Sequence, residues 1–136
     1  MTAPKKIVLL GATGSIGEST LQVIRKHPGR LQLIGVSAHS NSRKLADISN
    51  EFKVPHAYLP ETASEVTDWP SHCSLDRSTN GLTDIAALDE ADIVVVAIVG
   101  ASGLGPTLSA LQAGKNVVLA NKESLVLGGD LVMRTA

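Results

Sequence analysis

Aromatic residues, cysteine and concentrated charge are all scarce in this sequence. Phe, Trp and Tyr together make up 2% of 136 residues. The core must therefore be assembled from Val, Leu, Ile and Ala, a composition suited to strands covered by helices on both faces. The single cysteine, Cys73, excludes an internal disulfide framework. It is expected to be a passive thiol, and the compartment expected is the reducing cytoplasm. Net charge is -1, and Lys and Arg are scattered rather than gathered into a stripe. Neither nucleic acid nor a membrane surface is expected as a partner. The longest apolar run, Ile93 to Val99, falls far short of the roughly 20 residues that span a bilayer. MTAPKK leads into the first apolar run without the core of a signal peptide. The histidines have no metal-ligand spacing, no calcium loop surrounds Asp84, Asp89, Glu90 and Asp92, and no G-x-S-x-G elbow occurs.

What is present is 43% hydrophobic and 18% charged, the balance of one globular domain over residues 1–136. Its organising stretch is KIVLLGATGSIGE, Lys6 to Glu18. An apolar run of the buried-strand kind ends in Gly11, Gly14 and Gly17, spaced G-x-x-G-x-x-G, and a helix-like pattern follows. A helix N-terminus presents unpaired backbone N–H groups and partial positive charge, so a loop without side chains lets a pyrophosphate approach it. Glycines in a βα turn can also serve packing alone. Ser15 and Glu18 have the spacing of a capping box.

The pattern predicts a first helix from Ser15 to His27 with Ile16, Thr20, Val23, Ile24 and His27 on one face, ended by Pro28 and Gly29. A strand from Leu31 to Val36, a helix from Ser42 to Phe52 and a short strand from Val54 to Leu59 come next. Pro55 and Pro60 bracket that short strand and suggest an edge position. Glu61 to Asn80 reads as a surface excursion with one short helix, and Thr83 can cap a helix reaching Leu88. A strand at Ile93 to Val99, a helix ending near Ala113 with Pro106 in its first turn, and a strand at Asn116 to Leu119 complete the reading. This alternation predicts an α/β, Rossmann-like doubly wound fold, with a mostly parallel sheet of order 3-2-1-4-5 and helices on both faces. Ligands would bind at the carboxyl ends of the strands, where Gly11 to Gly17, Val99 to Gly105 and Asn121 to Glu123 converge.

After the second strand come Ser37, Ala38, His39, Ser40, Asn41, Ser42, Arg43 and Lys44, with no acidic residue. An acid at this place selects NAD, whereas neutral donors and cations accommodate the 2′-phosphate of NADP. NADP is therefore the cofactor expected. Equally, Asn41 or Ser42 could cap the next helix while the basic pair is solvated. At the last strand, Lys122 could hold an anionic or hydroxylated substrate while Asn121 and Glu123 orient ribose or carboxamide groups. The same three residues could instead begin a capped helix.

Taken together, GATGSIGEST (Gly11 to Thr20), AIVGASGLGPTL (Ala97 to Leu108) and AGKNVVLANKESLV (Ala113 to Val126) closely resemble the N-terminal NADPH-binding domain of the 1-deoxy-D-xylulose 5-phosphate reductoisomerase family. The resemblance extends over essentially the whole chain, and the last block is its most specific part. It implies an oxidoreductase of isoprene biosynthesis by the non-mevalonate pathway. Such enzymes rearrange 1-deoxy-D-xylulose 5-phosphate and reduce the product with NADPH to 2-C-methyl-D-erythritol 4-phosphate, using a divalent metal, Mn or Mg. By motif, Thr13, Gly14, Ser15 and Ile16 would contact the NADPH phosphates, His39 and Asn41 the adenosine end, Asn121 and Glu123 the rest of the cofactor, and Lys122 the substrate. The family often has Gly-Lys where His39 and Ser40 stand, which leaves Arg43 as a candidate for the 2′-phosphate cation. The metal carboxylates, the flap and the residues for the substrate phosphate would lie beyond Ala136. No catalytic or metal-binding residue is assigned within the chain, which is expected to be a truncated, cofactor-binding and inactive part of a homodimeric enzyme.

Two further readings share the glycine spacing. A nucleotide-sugar epimerase or short-chain dehydrogenase needs a Tyr followed four residues later by Lys, and Tyr58 is followed at that distance by Thr62. A complete, non-catalytic NADP-sensing module is the other.

Overall fold

The computed structural model describes residues 3–65, 67–98 and 103–119. Among these, six strands form one sheet: β1 (Lys5–Leu10), β2 (Leu31–Ser37), β3 (His56–Tyr58), β4 (Ser74–Asp76), β5 (Ile93–Val96) and β6 (Asn116–Leu119). Their order is β4-β3-β2-β1-β5-β6, and every pairing is parallel. The helices are α1 (Ser15–Lys26), α2 (Ser42–Phe52), α3 (Gly81–Ala86) and α4 (Leu104–Gln112).

Side-chain alternation along the strands builds two cores. β1 sends Ile7 and Leu9 to one face, where Leu21 and Ile24 of α1 and Leu45 and Ile48 of α2 cover them. Val8 and Leu10 go to the other face with Val94 and Val96, beneath Ile85 and Ala86 of α3 and Ala110 of α4. Strands buried on both sides need not alternate apolar with polar, which is why their sequence reads as continuous runs. β2 carries one extra residue against β1: Ile7 faces Leu33, but Val8 faces Gly35. This bulge returns Val36 to the face of Leu33.

The doubly wound parallel architecture is the one anticipated, and the expected five-strand order persists as β3-β2-β1-β5-β6. The segment read as a surface excursion adds a sixth strand, β4, outside β3. Three residues are too few for a period to show. Ser74 N–H donates to Pro55 O at 2.8 Å and Leu59 N–H to Asp76 O at 3.1 Å. The prolines therefore flank β3 without being asked for an N–H in the ladder, and β3 is not an edge.

Local expectations are also corrected. The buried face of α1 is Gly17, Leu21 and Ile24, and Val23 is 51% exposed. Ser15 is the first helical residue and not the cap. Gly14 takes that position with no side-chain capping bond, and Glu18 pairs with Arg25 at 3.1 Å instead of closing a capping box. α3 starts at Gly81 after Asn80, two residues before Thr83, whose hydroxyl bonds back to Asn80 O at 2.9 Å.

Candidate functional site

The chain runs outward from β1 to β2, β3 and β4, then crosses back to β5 on the other side of β1. Loops leaving neighbouring strands in opposite directions open a crevice at their carboxyl ends. A hollow of about 510 Å³ occupies it, walled by Gly11, Thr13 and Gly14 after β1, Ser37, Ala38 and His39 at the end of β2, and Ala97 and Ile98 after β5. Tyr58, Pro60 and Leu82 close its far side.

The three glycines of the β1–α1 loop have different reasons to be there. Gly11 has φ +83°, and a Cβ on it would lie 2.7 Å from Ala97 O. A Cβ on Gly17 would run into Gly11 O and stand 2.7 Å from Ala12 O. Packing within the protein forbids a side chain at both. Gly14 differs: its φ is -80°, and a Cβ would meet nothing nearer than Gly11 O at 3.9 Å. The fold does not require glycine there, whereas a pyrophosphate lying on the helix N-terminus would.

Backbone donors are available at this place. The amide of Glu18 is bonded to Gly14 O at 2.9 Å, so those of Ser15, Ile16 and Gly17 precede the first turn's hydrogen bonding. Behind the loop, Ser37 is buried and holds it twice: its hydroxyl accepts from Gly11 N–H at 3.0 Å and its carbonyl from Ala12 N–H at 2.8 Å. Lys44 Nζ donates to Thr13 O at 3.1 Å.

Beside this hollow lies a second, of about 370 Å³, formed by Ser40 to Arg43 together with Ser64, Glu65 and Thr67. It is rich in hydroxyls. The Arg43 side chain is 68% exposed and 4.0 Å from Asp47, so its guanidinium is free to turn toward a ligand. Glu65 contributes a carboxylate to the same hollow, where it would oppose an anion unless Arg43 offset it. Asn41 caps α2, its Oδ1 accepting from Lys44 N–H at 3.1 Å.

The residues anticipated for the site are thus distributed. Thr13, Gly14 and His39 share the first hollow, Asn41 faces the second, and Ser15 and Ile16 begin α1. Asn121, Lys122 and Glu123 lie outside the described residues. Sequence reading overlooked Tyr58 at the end of β3, Ile98 just after β5 and Leu82 at the start of α3 as walls, since a largely apolar side chain at such places carries no mark of its own. Burial raises the Tyr58 phenol above its ordinary pKa, with Asp76 and then Glu61 adding to the effect, so it stays protonated and presents an apolar ring. Among the described residues no three His, Cys, Asp or Glu side chains come together to hold a metal ion, and no helix is long and apolar enough to cross a membrane.

Known proteins resemble this arrangement closely. The family model described as 1-deoxy-D-xylulose 5-phosphate reductoisomerase matches residues 7–129. The chain is 43% identical over 139 residues to the enzyme of that name from Clostridium kluyveri, covering 97% of this chain and 36% of the relative. It is 48% identical over 134 residues to that from Cupriavidus taiwanensis, covering 94% and 34%. It therefore spans about a third of the length of these relatives. Among solved structures, DOX-P reductoisomerase in complex with NADPH, fosmidomycin and magnesium superposes with a TM-score of 0.80 at 42% identity, covering 97% of this chain and 34% of the other. The Zymomonas mobilis enzyme in complex with NADPH gives 0.79 at 36% identity, covering 99% and 36%.

Proposed function

The chain belongs to the 1-deoxy-D-xylulose 5-phosphate reductoisomerase family, and from that membership we propose that it is the NADPH-binding domain of such an enzyme. Gly14 is the observation that carries this reading: a glycine that packing does not demand, at the N-terminus of α1 and in the wall of the hollow. The amides of Thr13, Gly14, Ser15 and Ile16 would receive the pyrophosphate. His39 and the ring of Tyr58 would flank the adenosine end. The hydroxyl-lined hollow at Ser40 to Arg43 would take the 2′-phosphate, with Arg43 as its cation. By family motif, Asn121 and Glu123 would hold the remainder of the cofactor and Lys122 the substrate, 1-deoxy-D-xylulose 5-phosphate.

When bound, NADPH would supply the hydride for the reduction. By the same family resemblance, the divalent ion of the whole enzyme, Mn or Mg, would be held by the two thirds of the relatives' length that this chain does not span. The whole enzyme would act in the cytoplasm as a homodimer. Nothing in the described residues favours the dehydrogenase or epimerase reading, because Thr62 follows Tyr58 where that chemistry needs a lysine.

Calorimetric titration of the chain with NADPH and NADH tests the proposal. NADPH should bind at least about tenfold more tightly, a difference of about 1.4 kcal/mol. Equal affinities would refute the assignment of the second hollow, and absence of binding by either cofactor would refute the whole reading. With 1-deoxy-D-xylulose 5-phosphate and Mn added, NADPH should remain unoxidised; robust turnover would refute the division of labour.

A further inference from the structure

Arg43 and Lys44 are adjacent in sequence and look alike there, yet the structure gives them different surroundings. Arg43 stands in the second hollow. Lys44 turns the other way: its Nζ donates to Thr13 O at 3.1 Å and lies 4.0 Å from Glu18 Oε2. Glu18 in turn accepts from Arg25 at 3.1 Å, and Arg25 grips Glu51 with two bonds, Nε at 2.6 Å and Nη2 at 2.9 Å. A line of alternating charge thus runs from the end of α2, across α1, to one carbonyl of the glycine loop.

We propose that Lys44 is a positioning residue for the pyrophosphate cradle, holding the Thr13–Gly14 peptide in its receptive orientation; this rests on the NADPH-binding reading. A trans peptide points its C=O and its N–H in opposite directions. Anchoring the Thr13 carbonyl on an ammonium keeps that oxygen away from the anion and sets the Gly14 N–H on the opposite side. The anchor is needed because Gly14 has no Cβ to disfavour positive φ, and the rotation that would turn the carbonyl into the site is cheap at glycine. On the other side of the loop, Gly11 and Ala12 are already held by Ser37. The Thr13–Gly14 peptide lies between those fixed amides and the first hydrogen-bonded amide of α1, that of Glu18.

The position predicts a pattern that a 2′-phosphate contact cannot give. Since the pyrophosphate is common to both cofactors, Lys44→Met should weaken NADPH and NADH by the same factor, about tenfold, while Lys44→Arg restores most of the loss. The midpoint of urea unfolding should move little, because Lys44 is half-exposed. A loss confined to NADPH would show Lys44 to be a 2′-phosphate ligand and overturn the proposal. Unchanged affinity for both would overturn it as well while leaving the cofactor reading standing. A measurement without cofactor separates the two further. In the amide NMR spectrum of the unliganded chain, Lys44→Met should shift or broaden Gly14 and leave Gly11 in place. An unperturbed Gly14 would overturn the proposal whatever the titrations show.

Discussion

Two loops at the same end of the sheet treat their backbones in opposite ways. The β1–α1 loop, Gly11 to Gly14, is held from outside by Ser37 and Lys44, and the helix amides that follow it are left open. The connection from β3 to β4 is tied to itself and its neighbours. Arg77 Nη2 donates to Pro60 O at 3.0 Å, to Glu61 O at 3.3 Å and to Ala63 O, and Trp69 Nε1 donates to Cys73 O at 2.9 Å. Ser42 Oγ donates to Ser64 O at 2.5 Å. A loop that must receive an anion on its backbone keeps amide donors unpaired and is braced from behind, whereas a loop that lends only side chains to the wall of a hollow satisfies its own carbonyls.

The contrast is broken most severely inside the glycine loop. Gly17→Ala should cost about 3 kcal/mol or more, because the added methyl meets main-chain oxygens that cannot give way; urea unfolding measures this. Gly14→Ala is its counterpart, expected to leave unfolding within about 0.5 kcal/mol of the parent and to weaken NADPH about tenfold. Equal destabilisation by the two substitutions would erase the distinction between packing glycine and ligand glycine.

The second loop is tested next. Arg77→Met leaves several carbonyls without their charged donor and should cost about 2 kcal/mol. Hydrogen exchange should rise first at residues 61–65, while the amides of β1 and β5 keep their protection.

The smallest effect concerns the brace behind the glycine loop. The Arg25 guanidinium holds the Glu51 carboxyl below its ordinary pKa. A carboxylate depressed in the folded state adds stability above its unfolded value of 4.5 and loses it as pH falls through the lower folded value. Glu51 is 45% exposed, so the contribution should be no more than about 0.5 kcal/mol. Urea titrations at pH 7 and pH 3 should show Glu51→Gln lacking that part of the acid sensitivity.

Long apolar runs were the most legible part of the fold. Val8 to Leu10, Leu31 to Val36 and Ile93 onward, each followed by a turn and a helical pattern, specify parallel strands covered on both faces because only Gln32, at the exposed start of the second, interrupts them with a polar side chain. β4 was hidden, since Ser74 to Asp76 pair through backbone groups and need no period. The face of α1 was misread because Gly17, which packs its backbone against the loop, contributes no hydrophobic signal, while the exposed Val23 does. Within the candidate site, Thr13, Gly14 and His39 were legible from motif and position, and Tyr58, Leu82 and Ile98 were not.

Three glycines at threefold spacing and an acid-free stretch after the second strand stand in the sequence itself, as does the family pattern that ends in AGKNVVLANKESLV. These determine the βα unit, the family and the expectation of NADPH, because they depend on residue type and local spacing. Which glycine serves packing and which leaves room for a ligand depends on atoms far away in the chain. Gly11 lies against Ala97 across the β1–β5 pairing. The separation of Arg43 from Lys44 has the same origin. Two neighbouring cations on one helix point to different places, and only the packing of α2 beside α1 decided that one reaches the glycine loop.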